Sequence, residues 1–300
     1  MVFTTRAKII LKKYAPKWLF DSIRLVSSYT LLRLIPLYFR LRISRFKERV
    51  TKHIHYQGGH FDIIIDPSNG YLDAQIYAHG LYEPHIVHEL TTHIKPGDTC
   101  IDVGANIGHH TIIMSKASGT TGHVYAYEPI PHIRKQAEES VAQNTLTNVT
   151  FYSDALSDSA SHLDLHVRKG NIGGSSLVAT STNDEYIKVN VRTLDSYYFT
   201  KVDFIKIDVE GYEYHVLLGA KDLIQKHRPV ILFEYSPIYY RIHNVMHSLH
   251  ILSFFREHNY NLIDLEDRKK PIISLEKFIR EFDHGLRSQT NILAVPRTIV

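Results

Sequence analysis

The sequence predicts an α/β protein built around a parallel β-sheet. The segment Thr99–Val103 is short and β-branched, as buried strands are, and residues 109–115 continue as a helix after a glycine-containing turn. A second strand, His123–Tyr127, a helix over residues 131–144 and a third strand, Val149–Tyr152, repeat this order. Alternation of strands and helices is typical of a parallel sheet with right-handed crossovers. The ligands of such sheets bind at the carboxyl ends of the strands.

The turn after the first of these strands is the strongest candidate for a ligand-binding segment. It reads Asp102-Val-Gly-Ala-Asn-Ile-Gly108. Gly104 and Gly108 let the backbone pass close to a ligand, and the free N–H groups of the following helical turn face the same space. Asp102, at the strand end, is able to accept a hydrogen bond from a cation or a hydroxyl. Asn106 stands where the second glycine of a dinucleotide-binding pattern would fall, and the phosphate-binding lysine motif is absent, so the turn does not predict a phosphate ligand.

Acidic residues also follow the next two strands. Glu128 lies 26 positions after Asp102, close to the spacing at which an acidic side chain meets the ribose hydroxyls of a nucleotide. Asp154 and Ala155 follow the third strand, where the alternative for Asp154 is a role as an ordinary turn residue. The pattern therefore predicts a nucleotide-type ligand whose ribose meets an acidic side chain.

Three segments together resemble the FkbM family of S-adenosylmethionine-dependent methyltransferases: residues 102–108, Tyr-Glu-Pro at 127–129 and Lys-Ile-Asp-Val-Glu-Gly at 206–211. Shorter matches at 80–83, 173–177, 233–235 and 291–296 extend the resemblance from about residue 73 to residue 296. The resemblance implies a class I methyltransferase (Rossmann-like) fold. This is a three-layer sandwich around a seven-stranded, mostly parallel sheet whose last strand is antiparallel. It also implies O-methylation of a hydroxyl, often on a sugar or a secondary metabolite.

The implied cofactor, S-adenosylmethionine, carries a sulfonium cation, an ammonium group and a ribose diol, so its pocket requires acidic groups and close backbone approach. In the family's arrangement the glycine turn shapes the site of the methionine portion, Glu128 binds the ribose hydroxyls, and Asp154 with Ala155 borders the adenine. Glu83 either folds over the cofactor or only precedes the helix that begins at Pro84. The predicted cofactor-binding residues are Glu83, Asp102, Gly104, Asn106, Gly108, Glu128, Asp154 and Ala155.

The chemistry is expected at the end of the strand that contains Lys206. Strand alternation sends Lys206, Asp208 and Glu210 to one face, and buried charges need partners, so this face is expected to line a cleft or a salt-bridge network. The following strand, Val230–Tyr235, brings Glu234 beside them if the two strands are neighbours. Four ionisable side chains are therefore predicted at one site.

Methyl transfer to an alcohol requires alignment of the nucleophile and removal of its proton. Asp208 is the first candidate for the base, with Glu210 and Glu234 as rivals; Lys206 either positions a carboxylate or, if neutral, acts as the base. His215 and His243 are weaker candidates. A divalent metal held by Asp208 and Glu234 is an alternative that is not favoured.

The composition limits the function classes. The chain has 300 residues with 44% hydrophobic and 22% charged residues, which suits a globular protein. Its 20 histidines form no convincing four-ligand zinc set, so no metal site is predicted from them. The single cysteine, Cys100, argues against a disulfide framework and fits a cytoplasmic protein.

Positive charge is concentrated in the first 50 residues of the chain. Residues 1–50 contain twelve Lys or Arg and two acidic residues, a balance of +10, which leaves −6 for the remainder of the total of +4. We expect a basic helical arm over 1–50, a strand and helix extension over 51–98, and the methyltransferase domain over 99–300. The arm packs on the domain or on a homodimer partner, or it contacts the inner face of a membrane peripherally.

The remaining alternatives concern the acceptor. A small molecule or glycan is preferred, and the loop around residues 171–177, inside a predicted antiparallel pair, offers serine hydroxyls to it. A nucleic-acid ribose methyltransferase is the first alternative, although the acidic catalytic region has no evident basic stripe. A non-catalytic binding protein with a vestigial cofactor site is the second.

Overall fold

The computed structural model describes residues 49–66, 69–168, 172–177, 185–242, 248–266, 270–284 and 286–297. The predicted arm over residues 1–50, apart from its last two positions, lies outside the described residues. None of the helices in these ranges has both the length and the apolar character needed to cross a membrane.

The described residues before the predicted glycine turn form two strands and two helices. They are β1 (Val50–Tyr56), β2 (Gly59–Ile65), α1 (Tyr71–His79) and α2 (Pro84–His93). The strands β1 and β2 form an antiparallel hairpin of their own.

The predicted repeat of strands and helices follows directly. It consists of β3 (Thr99–Val103), α3 (His109–Ser118), β4 (His123–Tyr127), α4 (Pro131–Gln143) and β5 (Val149–Tyr152). These elements agree with the sequence prediction because hydrophobic periodicity, Pro131 at the start of α4 and glycines at the turns are local signals.

The carboxyl-terminal part completes a small sheet and the main sheet. Its elements are β6 (Ala155–Leu156), β7 (Ser161–Val167), β8 (Glu185–Arg192), β9 (Phe204–Ile207), α5 (Glu213–Leu218), α6 (Lys221–His227), β10 (Val230–Tyr235), α7 (Pro237–Ile242), α8 (Ser248–Glu257), β11 (Tyr260–Asp264), β12 (Lys270–Pro271), α9 (Leu275–Asp283) and β13 (Thr290–Pro296).

The main sheet has the order β12-β11-β13-β10-β9-β3-β4-β5. The strands from β10 to β5 in this order are parallel, and β13 is antiparallel to both β10 and β11. The predicted class I fold with an antiparallel last strand is therefore confirmed. The described sheet has eight strands rather than the predicted seven, because Lys270–Pro271 adds a two-residue edge strand too short to give a sequence pattern.

Two apolar clusters pack on opposite faces of this sheet. Ile205 and Phe233 face one cluster, which includes residues of α5, α6 and α8, whereas Phe204 and Leu232 face the other, which includes residues of α2, α3 and α4. Successive residues of a strand point to opposite faces, so a central strand covered on both sides has to be almost wholly apolar. Lys206, 3% exposed in β9, is one exception, and the buried Asp102 in β3 and Glu234 in β10 are two others.

The connection order reverses at β3. The chain runs from β3 to β4 and β5 on one side, and β9 and β10 lie on the other side. A reversal of this kind leaves a crevice at the carboxyl ends of the strands, where α/β proteins bind their ligands. The small sheet has the order β6-β8-β7, and its antiparallel pair β7 and β8 agrees with the predicted one.

Candidate active site

The turn after β3 lies directly against the end of β9. Gly104 has φ +82°, and a Cβ at this position would lie 2.0 Å from the carbonyl oxygen of Asp208. The N–H groups of Gly104 and Ala105 donate to the carbonyl of Tyr127 at 3.1 and 3.0 Å. Only a glycine permits this approach, so the turn holds the ends of β3, β4 and β9 together.

Glu128 fixes the same turn from the side of β4. It is 6% exposed. Its Oε2 accepts from the N–H of Asn106 at 3.0 Å, and its Oε1 accepts from the N–H of Ile130 at 2.8 Å. Burial raises the pKa of Glu128 to about 7 against the opposing effect of these two N–H groups. Each carboxylate oxygen has a second lone pair, so Glu128 is still able to accept from a ligand hydroxyl.

A mainly apolar cavity of about 650 Å³ opens beside Glu128. We call it the apolar cavity. Gly104, Asn106, Asp154 and Ala155 border it, and its apolar walls come from Ile130, Ile133, Leu156, Leu165 and Leu177. The phenol of Tyr197 donates to Oδ2 of Asp154 at 2.7 Å, so this carboxylate is held at the wall of the cavity.

A second, polar cavity of about 970 Å³ lies on the other side of the turn. We call it the acidic cavity, because its wall carries the side chains of Glu83, Asp208, Glu210, Glu234 and Lys206. Tyr71, Tyr82, Tyr239, His109, His110 and Gln289 complete it. The two cavities share Gly104, Asn106, Gly173, Asp208 and Glu210.

Lys206 is the cation of the acidic cavity. Its Nζ lies 3.5 Å from Oδ1 of Asp102 and 3.3 Å from Oδ2 of Asp208. Burial lowers the pKa of Lys206, but the charges of Asp208, Asp102 and Glu83 together outweigh burial and raise it above its usual value. This contradicts the alternative in which a neutral Lys206 is the base.

The three carboxylates opposite Lys206 lie close together. One oxygen of each of Asp208, Glu210 and Glu234 lies within 4.8 Å of the others. Burial first, and then the charge of Asp208, raises the pKa of Glu210 to about 8 and that of Glu234 well above its usual range. The same two causes raise the pKa of Glu83 to about 7.

The predicted alternation along β9 ends earlier than expected. The strand stops at Ile207, and Glu210 has φ +53°, so Glu210 reaches the cluster through a turn rather than through strand register. Glu234 joins the cluster as the sequence predicted, because β10 pairs with β9.

Glu213 is a residue that the sequence interpretation missed. It is fully buried at the start of α5, and its Oε1 accepts from the N–H groups of Val209 and Gly211 at 3.2 and 3.1 Å. Its Oε2 accepts from the phenol of Tyr240 at 3.0 Å. Burial raises the pKa of Glu213 to about 7. Glu213 therefore holds the turn that carries Asp208 and Glu210, although its only sequence signal was an acidic residue in a first helical turn.

Two buried histidines of α3 were also missed. His109 and His110 border the acidic cavity, and Nε2 of His109 accepts from the N–H of Tyr82 at 3.4 Å. Burial lowers the pKa of His109 to about 3 and that of His110 well below its usual value, so both rings are neutral. No motif marked them, because adjacent histidines on a helix are ordinary in sequence.

Two of the predicted cofactor-binding residues border neither cavity. Asp102 is fully buried behind the turn, where Thr111 donates to its Oδ2 at 2.6 Å. Gly108 has φ +84°, and a Cβ there would lie 3.1 Å from Cβ of Ala137 in α4. Both residues support the turn from behind, which sequence spacing does not distinguish from direct contact with a ligand.

The other predicted residues are distributed as follows. Glu83 borders the acidic cavity and does not border the apolar one. His215 borders neither cavity, and its Nδ1 lies 3.3 Å from Oδ2 of Asp158. His243 lies outside the described residues.

The model of the methyltransferase FkbM domain family matches residues 102–262, which is more than half of the chain. The chain belongs to the FkbM methyltransferase family. The family expected from the motifs is thereby confirmed, and the matched residues form a methyltransferase domain.

Relatives of this chain are named for different molecules. The chain is 28% identical over 160 residues to the hexuronic acid methyltransferase AglP of Haloferax volcanii, covering 50% of this chain and 61% of that relative. It is 25% identical over 229 residues to the 31-O-demethyl-FK506 methyltransferase FkbM of Streptomyces tacrolimicus, covering 66% and 84%. The structure is similar to a methyltransferase FkbM of Methylobacillus flagellatus, with a TM-score of 0.44 and 17% identity, covering 74% of this chain and 54% of that one.

S-adenosylmethionine suits the apolar cavity. Gly104 has no side chain, and the structure has no room for a Cβ at this position. Glu128 presents its carboxylate oxygens at the end of β4. The residues present therefore fit a cofactor with a ribose diol and a cationic centre.

Proposed function

We propose that this protein transfers the methyl group of S-adenosylmethionine to a hydroxyl oxygen of a sugar, glycan or glycolipid-type acceptor. One observation carries the proposal: the apolar cavity and the acidic cavity meet at Gly104, Asn106, Gly173, Asp208 and Glu210. A donor in the first cavity and a polar acceptor in the second would face each other at Asp208.

The cofactor is assigned to the residues of the apolar cavity. Gly104 and Asn106 shape the site of its methionine portion, Glu128 accepts from the ribose hydroxyls, and Asp154 with Ala155 borders the adenine. Asp102 and Gly108 support the turn without touching the cofactor. Glu83 is assigned to the acceptor, since it borders the acidic cavity only.

The acceptor is assigned to the acidic cavity. Carboxylates accept hydrogen bonds from hydroxyls, and the rings of Tyr71, Tyr82 and Tyr239 offer apolar faces to a sugar ring. A relative named for a hexuronic acid and another named for FK506 support oxygen-bearing acceptors of this class.

The bound cofactor supplies an electrophilic methyl group. Asp208 is assigned as the group that accepts the hydroxyl proton, because it borders both cavities and its side chain is 33% exposed. Lys206 positions Asp208, and Glu213 holds the turn that presents it. Glu210 and Glu234 are the rival bases.

Incubation with radiolabelled S-adenosylmethionine and separate fractions of glycans, lipids and RNA tests this function. We expect label in the glycan or glycolipid fraction and a loss of about 100-fold or more in Asp208→Asn. Asp164→Asn, which changes an exposed carboxylate of β7, is the matched control. Label in RNA would overturn the proposal of a sugar acceptor. A protein that does not bind S-adenosylmethionine would overturn the proposed methyltransferase activity.

We also infer a cytoplasmic protein that contacts the inner face of a membrane through residues 1–50. The balance of +10 in this segment supports it, because anionic lipid surfaces attract basic segments. Flotation with anionic vesicles is expected to require residues 1–50. Equal flotation after their deletion would dismiss this role, and a change of mass in solution would instead favour a homodimer contact.

A further inference from the structure

We propose that Asp208, Glu210 and Glu234 bind a hard divalent cation, of the kind of Mg²⁺, Mn²⁺ or Ca²⁺, in the acidic cavity. The binding itself stands on the geometry of this chain. Its role in catalysis rests on the proposed function.

The spacing of the three carboxylates suits one ion. One oxygen from each lies within 4.8 Å of the others. Hard divalent cations bind oxygens at about 2.0–2.6 Å, so two ligands on opposite sides of an ion are about 4–5 Å apart. The three side chains are therefore able to reach a common ion without movement of the backbone.

The carboxylates are carried by fixed elements. Glu234 lies in β10, which pairs with β9 and β13 inside the main sheet. Asp208 and Glu210 lie in the turn after β9, where Glu213 accepts from two N–H groups of the same turn. A set of ligands that is held in place before binding loses little freedom when the ion arrives.

The protein provides too little positive charge for this cluster. Lys206 contacts Asp208, but it also contacts Asp102, which is fully buried and needs a cation itself. Within the described ranges, neither Glu210 nor Glu234 forms an ion pair with a basic side chain, and Arg168 acts on Glu210 only from a longer distance. A divalent cation would supply the opposite charge that buried carboxylates in proteins normally have beside them.

Unpartnered polar atoms at the wall of the cavity point to a ligand independently of this charge. His110 is 7% exposed, and its buried Nε2 has no hydrogen-bond partner in the part of the chain that the structure describes. Oε2 of Glu234, which is 9% exposed, is buried and equally unpartnered. Since buried polar atoms in folded proteins are almost always paired, these two atoms offer positions to a ligand of the acidic cavity.

A cation at this position would act on the acceptor. A hydroxyl oxygen that binds a divalent cation loses its proton more readily, which reduces what is required of Asp208 as a base. The same ion would fix the position of the hydroxyl beside the donor.

Titration of the full-length protein with Mn²⁺ after treatment with EDTA, followed by electron paramagnetic resonance, tests the site. We expect one saturable Mn²⁺ per chain, competition by Mg²⁺ or Ca²⁺, and at least a tenfold weaker affinity in Glu210→Gln and in Glu234→Gln. Asp164→Asn is expected to bind Mn²⁺ as the wild type does. Circular dichroism identifies a variant that has not folded; Glu210, which lies in a turn, provides the second variant if Glu234→Gln fails.

The absence of saturable Mn²⁺ binding at millimolar concentration would overturn the inference, and so would wild-type affinity in both folded variants. Binding of S-adenosylmethionine is measured separately in EDTA. If the cofactor binds and Mn²⁺ does not, the ion site fails and the proposed function stands. If Mn²⁺ binds and the cofactor does not, the proposed function fails and the ion site stands.

Discussion

Nζ of Lys206 lies 3.3 Å from Oδ2 of Asp208, at the carboxyl end of strand β9. The same nitrogen lies 3.5 Å from Oδ1 of Asp102 in the neighbouring strand β3. One buried ammonium group therefore joins the strand before the cofactor turn to the candidate base after β9. Its loss should affect stability as well as catalysis.

Lys206→Met is expected to lower the free energy of unfolding by about 3–5 kcal/mol. The substitution leaves the carboxylate of Asp102, which has no exposed surface, without its cation. Urea denaturation followed by circular dichroism measures the change.

The double variant Lys206→Met/Asp102→Asn provides the control. Because it removes the uncompensated charge as well, it should recover part of the lost stability. A decrease of less than about 1 kcal/mol in the free energy of unfolding of Lys206→Met would show that the fold does not depend on the buried ion pair.

Gly104→Ala is expected to weaken binding of S-adenosylmethionine by about tenfold or more and to destabilise the fold. A Cβ at this position meets the carbonyl oxygen of Asp208 at 2.0 Å, and the residue has φ +82°. Gly97→Ala is the matched control, because Gly97 has φ +90° and its Cβ would lie 3.6 Å from the nearest atom, Oγ1 of Thr121. Calorimetric titration measures the affinity of both variants for S-adenosylmethionine. Equal affinities would contradict a close approach of the cofactor to the backbone at Gly104.

Glu128→Gln is expected to reduce the affinity for S-adenosylmethionine by about tenfold, which corresponds to about 1.4 kcal/mol. An amide has one oxygen, so it is unable to accept from both Asn106 and Ile130, and one N–H loses its acceptor. Glu139→Gln, an exposed change on α4, is the control. Unchanged affinity in Glu128→Gln would exclude this carboxylate from the cofactor site.

Asp73→Asn is expected to raise stability at pH 8 and to leave it nearly unchanged at pH 4. Burial raises the pKa of Asp73 from its ordinary value of 3.8 to about 7. Between these values the unfolded chain loses the proton first, so stability decreases as the pH rises through this window. The shift of this pKa corresponds to a change of at most about 4 kcal/mol in the free energy of unfolding.

Asparagine keeps the oxygen that accepts from the N–H of Asp66 at 2.7 Å and from Nε2 of Gln136 at 3.1 Å. Thermal denaturation at both pH values measures the effect, with Asp164→Asn as the exposed control. An equal change of melting temperature at pH 4 and pH 8 would mean that the charge of Asp73 is not the cause.

Local sequence patterns were enough to predict the strands and helices over residues 99–152, the glycine turn, and the acidic residues that end the strands. These signals are local: side-chain periodicity reports burial within one element, and glycine reports the backbone angles of one turn. The resemblance to the family rests on the same local signals, because the family motifs lie at the ends of the strands.

Which of these residues share a cavity depended on how the strands and helices pack together. Asp102 and Lys206 are neighbours because β3 pairs with β9, although more than one hundred residues separate them in the chain. That pairing makes Asp102, predicted as a cofactor ligand, the buried partner of a lysine, and the packing of α5 places Glu213 beside the turn that carries Asp208 and Glu210. Charge and hydrogen bonding act across space, whereas the sequence reports only order along the chain, so the strand ends were predictable and their partners were not.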